Sequence, residues 1–454
     1  MEKSLLIYNA RLVDRDMDVK KGAVLVRKGR IEGFPSADAV KELLKDSDID
    51  KMDAKGMVLM PSFIDMHVHM RDPGQTQKED LESGCRAAVA GGFGTVVLMP
   101  NTNPVISSQE AAEKNMSKTD RMNLLKVYQS VSISSGFDGK TMDHLDSLDR
   151  KIVPLITEDG HEVTDSFVML EGMKKAASKK IIVSCHCEDP FLADAARPLR
   201  KKALELLNAE KPSAADKKQA KKYLQEAHSL LALAEDAATF RNIRLAEEAK
   251  VHLHLCHVST EQSLDAVRRA KKAGLNVSCE VTPHHIALNC ETAGNQFQIV
   301  NPPLRPESDR LAVIAALKDG TADVIATDHA PHTASDKASG SPGFSGLETA
   351  FAACYSVLCL ENGMKLKDLS AKMSARPAEL LGLKNQGLLE EGYDADLVLV
   401  DIENQWTVRG EKFESKGKYT PLEGKKLFGK IVATIYNGKF VYRAFGYNIE
   451  AIGL

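Results

Sequence analysis

The chain has 454 residues, 43% of them hydrophobic and 27% charged, which exceeds a single small domain and suffices for one large barrel plus a smaller module. Lys and Arg (60) nearly balance Asp and Glu (63), leaving −3, so no global charge points to nucleic acid or to an acidic membrane surface. The opening Met1-Glu2-Lys3-Ser4-Leu5-Leu6-Ile7-Tyr8 has no leader pattern and no stretch is long enough to span a bilayer. The eight cysteines are scattered without a Cys-x-x-Cys pair, so the expectation is a cytoplasmic protein with reduced thiols.

The first sixty residues read as short strands and turns: Leu5 to Val13, Ala23 to Val26, and the Lys55-Gly56 turn before Met57. The middle alternates apolar runs with helical patterns. The runs are Val58–His67, Thr95–Pro100, Leu124–Val131, Ile152–Thr157, Ile181–His186, Val251–His257, Asn276–Thr282 and Asp323–Asp328. Helical spacing follows in Lys78–Ala90, Asp165–Ala177, Thr260–Ala273 and Glu307–Lys318. Eight strand–helix units with near-continuous apolar strands predict a parallel (β/α)8 TIM barrel of class α/β.

Two segments break that repeat. Residues 195–249 are charged and helical and read as an insertion after the fifth strand. Thr333–Ser345 is small and polar, either a lid over the catalytic end or a disordered surface loop. The final strands, Asp396 to Asp401, Lys430 to Tyr436 and Lys439 to Tyr442, carry an Asn437-Gly438 turn signal. Residues 1–57 and 385–454 are therefore expected to join as a composite β-sandwich module beside a barrel of residues 58–384.

The chemistry gathers at the C-terminal ends of the barrel strands, where such folds build their sites. The first ends in Asp65-Met66-His67-Val68-His69, and residues two apart in a strand face the same side, about 7 Å apart. Alone, that pair reads as easily as two satisfied strand histidines. The other ends add Glu158-Asp159, His186, His257 and Asp328. Four histidines and two aspartates at one face read as a site for two divalent metals, or one with room for a second. His252 and His254 lie inside their strand and read as packed or hydrogen-bonded. His144, His161 and His228 have no strand-end placement, and His284, His285 and His329 read as supporting residues.

Asp65-Met66-His67-Val68-His69-Met70-Arg71-Asp72-Pro73-Gly74 and Ala326-Thr327-Asp328-His329-Ala330-Pro331-His332 resemble the paired signatures of the dihydroorotase family, within the amidohydrolase superfamily. Met99-Pro100-Asn101-Thr102-Asn103-Pro104 and Asn301-Pro302-Pro303-Leu304-Arg305 are further motifs of that family, and the likeness runs along nearly the whole chain. Asp159 in place of a lysine resembles the bacterial class I enzymes, with Glu158 the alternative if the strand register is off by one.

The resemblance implies His67 and His69 as ligands of one metal, His186 and His257 of the other, Asp159 bridging, and Asp328 as a ligand and the acid/base. It implies substrate contacts from His69, Arg71, Asn101, Asn301 and His332, and backbone contacts from Gly343 beside Pro342, where relatives commonly hold Phe. It implies zinc, two ions per subunit, a small-molecule substrate, and room for a homodimer or a carbamoyltransferase partner.

The implied reaction is the reversible closure of N-carbamoyl-L-aspartate to L-dihydroorotate and water, in pyrimidine biosynthesis. A water between divalent ions loses its proton near neutral pH and can attack an unactivated amide. Arg71 can pair with the carboxylate that does not react, although a rim salt bridge with Asp72 would also explain it. Allantoinase and hydantoinase or dihydropyrimidinase relatives usually bridge their metals with a carboxylated lysine, whereas here Lys151 stands at the wrong end of the fourth strand. A metal-free scaffold protein is a more remote alternative.

Overall fold

The computed structural model describes residues 4–291 and 299–447. At its centre is a closed parallel barrel of Phe63–Val68, Phe93–Leu98, Lys126–Gln129 continuing through Val131–Ser132, Leu155–Thr157, Ile182–Cys185, Leu253–Leu255, Val277–Val281 and Val324–Ile325. Each pairs in parallel with the next. A parallel bridge between Val68 and His329 closes the ring, with the His69 amide donating to the His329 carbonyl at 2.8 Å. The first and second strands are buried at every position, as strands covered on both faces must be.

The run Val58–His67 is two strands in the structure, not one. Val58–Pro61 pairs antiparallel with Leu397–Val400 in the terminal module, and the barrel strand begins at Phe63. Ser62 is the joint, its amide donating to the Asp396 carbonyl. Hydrophobicity is continuous across both partners, so composition carries no mark of the change. Strands from both ends of the chain form one eight-stranded sheet around Leu5, Ile7, Val24, Leu59, Leu397, Leu399 and Ile435.

Ile64, Met66, Val97, Leu155, Ile182 and Val324 come from five barrel strands yet form one cluster with Ala378, Leu380 and Leu381 of the helix Arg376–Leu381. Only the barrel interior brings those strands together, so its lower half is filled and polar side chains collect at the opposite mouth. The insertion is two helices, Pro190–Leu207 and Ala214–Ala249. Asp189 caps the first, with Pro190 in its first turn, and Ser213 with Asp216 forms a capping box on the second. Small residues, Ala196 and Ala227 with Leu231, let the two pack closely. Arg305, from the Asn301–Arg305 motif, anchors the insertion through a buried pair with Glu235 at 2.9 Å. No helix among the described residues is long and apolar enough to cross a membrane.

Candidate metal centre

The first barrel strand slips register between Asp65 and Val68, an irregularity of the kind that re-aims side chains next to active sites. There the Asp65 carboxylate accepts the backbone amides of His67 at 3.0 Å and Thr327 at 3.1 Å, tying the first strand to the loop after the eighth. His67 and His69 both point into the mouth. His69 Nε2 lies 3.1 Å from Asp328 Oδ1, and His67 Nε2 lies 3.5 Å from the same oxygen.

Asp159 stands between this trio and the next pair. Its Oδ1 is 3.3 Å from His67 Nε2 and its Oδ2 is 3.4 Å from His69 Nε2. On the other side Oδ1 lies 3.7 Å from His186 Nδ1 and 4.0 Å from His257 Nε2, and those two nitrogens are 2.9 Å apart. All six side chains are buried. His257 and Asp328 adopt positive φ, +34° and +49°, a region disfavoured for non-glycine residues and enriched at functional sites.

The donor set fits divalent ions. Ligand bonds of about 2.0–2.2 Å place neighbouring atoms of a tetrahedron roughly 3.3–3.6 Å apart. The spacings of 3.1–3.5 Å around His67, His69, Asp159 and Asp328 match that edge, and the His186–His257 side is looser. His67 Nε2 and Asp159 Oδ1 are buried without a hydrogen-bond partner, a cost that a cation between them would remove. Burial pushes the Asp159 carboxyl up, yet the imidazoles of His67, His69 and His186 outweigh it and hold it well below the usual carboxylate range. Burial likewise disfavours a charged His67, but Asp159 and Glu280 raise its pKa well above normal. The field that retains a proton there is one that favours a metal cation.

Around this cluster lie the residues expected to hold substrate. Arg71, at φ +55°, is 9% exposed, and its Nε has no hydrogen-bond partner. The salt bridge with Asp72 is not formed: Asp72 pairs with Lys118, and among the described residues no carboxylate pairs with Arg71. Asn101 accepts from His69 Nδ1 at 2.8 Å and donates to Asp159 Oδ2 at 3.1 Å. Its loop is locked to the Arg71 loop because the Asn103 amide donates to the Pro73 carbonyl. Gly74 sits at φ +86°, where a Cβ would lie 1.8 Å from the Asn103 carbonyl oxygen, so only glycine allows this approach.

His332 Nε2 donates to the Pro342 carbonyl at 2.8 Å, leaving the buried Nδ1 without a hydrogen bond, 3.7 Å from Asp336 Oδ2. Burial, with Arg71 nearby, lowers its pKa to about 3, so the ring is neutral and Nδ1 is a bare acceptor. The Thr333–Ser345 segment is pinned in place. It contains the helix Ala334–Ala338 behind a Thr333–Asp336 capping box, and the buried Lys337 donates to the carbonyls of Ile299, Ser341 and Gly343.

Gly343 and Asn301 have partners within the protein. The Gly343 amide donates to Ile299 and its carbonyl accepts from Lys337. Its φ of +114°, with Ala330 where a Cβ would be, explains the glycine without a ligand. Asn301 is engaged on both ends of its amide, by Glu188 at 2.5 Å and Arg200 at 3.3 Å. Glu158 turns away from the cluster to accept the amides of Ile133 and Ser134, so Asp159 is the carboxylate among the histidines.

The sequence reading passed over Glu280, Glu188 and Arg200. A glutamate inside the apolar run Val277–Val281 was the available signal for the first. Arg200 is brought to Asn301 by the insertion helix Pro190–Leu207, and Glu188 stands two residues past His186. His252 and His254 are hydrogen-bonded to Ser278 as expected, and His285 is held by Thr282 and the Pro303 carbonyl. His329 contacts Glu79 and accepts the Gly346 amide. His284 is buried with an unpartnered Nε2.

Comparison with known proteins agrees with this geometry. Residues 58–441 match the amidohydrolase family model. The dihydroorotase of Clostridium botulinum (strain Eklund 17B / Type B) is 40% identical over 440 residues, covering 97% of this chain and 99% of that one. The dihydroorotase of Lactobacillus acidophilus is 37% identical, covering 87% and 90%. Among solved structures, a dihydropyrimidinase from Brevibacillus agri superposes with a TM-score of 0.83 at 22% identity, over 99% of this chain and 97% of that one. An L-hydantoinase from Arthrobacter aurescens gives 0.82 at 22%, over 97% and 96%. Those two show the fold; the relatives of higher identity and nearly full coverage show more, and the chain belongs to the amidohydrolase family and, within it, to the dihydroorotases.

Proposed function

We propose that this protein is a dihydroorotase that closes N-carbamoyl-L-aspartate to L-dihydroorotate and reopens it. The observation that carries the reading is Arg71, a buried guanidinium beside the metal centre with no carboxylate of its own. Its Nη2 lies 3.5 Å from His332 Nε2, but a buried cation without an ionic partner is expensive unless a ligand supplies the anion, and this substrate keeps a carboxylate that does not react. Asn101 lies beside it, through His69, and His332 offers a bare acceptor to a substrate N–H.

In the opening direction, water adds to the ring carbonyl carbon while the C–N bond breaks. Asp328 accepts the water's proton and delivers it to the departing nitrogen. Burial raises its pKa, but His67, His69 and His257 outweigh that and bring it down to about 2, so it starts ionised and able to accept. Divalent ions, when bound, supply Lewis acidity that eases deprotonation of water and polarises the amide; His67, His69, Asp159, His186, His257 and Asp328 are the residues that would hold them. We assign zinc, two ions per chain. Closure consumes a carboxylate and a proton, so acidic conditions favour the ring and alkaline conditions open it.

Asp159 at the fourth strand end, with Lys151 exposed at the start of that segment, argues against the carboxylated-lysine arrangement of the hydantoinase type. Zinc-loaded protein should hydrolyse L-dihydroorotate at alkaline pH, followed by ultraviolet absorbance, and leave allantoin and hydantoin untouched. Turnover of either alternative with none of dihydroorotate would reverse the assignment.

A further inference from the structure

Glu280 lies on the seventh barrel strand, fully buried, and contributes no atom to the six-residue donor set. Its Oε1 accepts from His67 Nδ1 at 2.6 Å and from the backbone amide of His257 at 3.2 Å. Its Oε2 accepts from His254 Nε2 at 3.0 Å. The side-chain chain continues from His254 Nδ1 to Ser278 Oγ at 2.8 Å and on to His252 Nε2 at 2.8 Å. One carboxylate oxygen therefore touches a residue from each half of the candidate metal centre.

We infer that Glu280 is a positioning residue for both halves at once. This rests on the metal-dependent reading above. A neutral imidazole carries one N–H. Donation of Nδ1–H to a carboxylate fixes that tautomer and leaves the Nε2 lone pair free, and His67 Nε2 is a buried, unpartnered atom of the cluster. At His257 the same oxygen holds the backbone amide of a residue at φ +34°, a conformation that needs an external restraint to persist. His254, anchored on Ser278, fixes the carboxylate from behind. Glu280 thus sets the tautomer of one ligand and the backbone of another, across strands one, six and seven.

The test compares Glu280→Gln with Glu235→Gln by competitive zinc titration against a chromophoric chelator. Glu235 is also a buried carboxylate accepting backbone amides, those of Ser259 and Thr260, but it touches no candidate ligand. Both stripped variants are checked for folding by circular dichroism and thermal unfolding. The expected result is a 10- to 100-fold loss of zinc affinity in Glu280→Gln, typical for removing a residue that supports a ligand, at every binding step resolved in the wild type. Glu235→Gln should bind zinc as the wild type does, whatever its stability. The absorption bands of the cobalt-substituted Glu280→Gln protein should also shift. Unchanged zinc affinity in folded Glu280→Gln overturns the inference, and a step that stays put overturns the coupling of the two halves. An equal loss in Glu235→Gln reduces Glu280 to a generic buried carboxylate. A wild-type protein that takes up no zinc overturns the metal reading and this inference with it.

Discussion

Replacing Arg71 by methionine should make the protein more stable and far less able to hold its substrate. Methionine keeps much of the side-chain length and removes the charge, and the positive φ is a burden shared by both residues. The guanidinium is 9% exposed and its Nε is unpartnered. Burial lowers its pKa, partly offset by the fields of Asp328, Asp159, Asp336 and Glu79. A buried ion carries an effective penalty of several kcal/mol, and after that offset we expect a net gain of about 1–2 kcal/mol on removal. Truncating one partner of a buried charge pair costs about 2–5 kcal/mol in binding, or roughly 30-fold to a few thousandfold at about 1.4 kcal/mol per decade. The assay pairs thermal unfolding of the free protein with steady-state hydrolysis of L-dihydroorotate. KM should rise by that factor with zinc content unchanged, while the melting temperature rises. A variant that melts lower and keeps its KM would show Arg71 to be a structural residue and refute the reasoning.

Asp328→Asn should retain most of its zinc, because five other donors remain, yet lose about 10²–10⁴-fold in kcat as a missing general acid/base; metal analysis alongside kinetics checks it. Asp159→Asn should lower zinc affinity, whereas Glu158→Ala should leave it intact and lose about 1–3 kcal/mol of stability through the unsatisfied amides of Ile133 and Ser134, measured by denaturant titration. A pH effect should come from Asp396, whose carboxyl burial pushes up to about 7, with Asp394 adding to it. The folded state then keeps a proton that the unfolded chain releases, so this stability is fully present in acid and lost as pH rises through about 7. Asp396→Asn should flatten that decline, with a slope difference of at most about 1.4 kcal/mol per pH unit, read from melting curves on the acid side of about pH 7, where the folded protein still holds the proton.

What was legible in the sequence follows from how each signal is encoded. His67, His69, His186, His257 and Asp328 each end an apolar run, and strand ends can be read from local pattern alone. Arg71 stood two residues past His69 on the same reasoning. The boundary at Ser62 was hidden because Val58–Pro61 and Phe63–Val68 are equally apolar, although one pairs with the terminal sheet and the other with the barrel. Glu280 and His67 are 213 positions apart, and no periodicity joins them. Asn301 shows the converse: the motif is visible in the sequence, but its partners are not, because Arg200 arrives from the insertion and Glu188 from beside His186. Pro342 and Gly343 belong to a loop whose carbonyls converge on Lys337, an arrangement that polar composition cannot reveal.

The placement of charge explains why Arg71 can remain unpaired. Asp159 and Asp328 lie nearest the histidines, within 3.1–3.5 Å of His67 and His69, and Glu280 and Asp65 stand behind them. The fields of Asp328 and Asp159 partly offset the burial of the guanidinium, and the same fields repel a dianion. Two divalent cations in the same donors would reverse the sign, removing the field that shelters Arg71 and creating one that attracts the substrate. Its second carboxylate would then be the partner the guanidinium lacks. If Arg71 takes the substrate carboxylate, the cluster and Arg71 would form one electrostatic unit in which loading precedes capture, and a protein carboxylate on Arg71 would compete with the substrate for it.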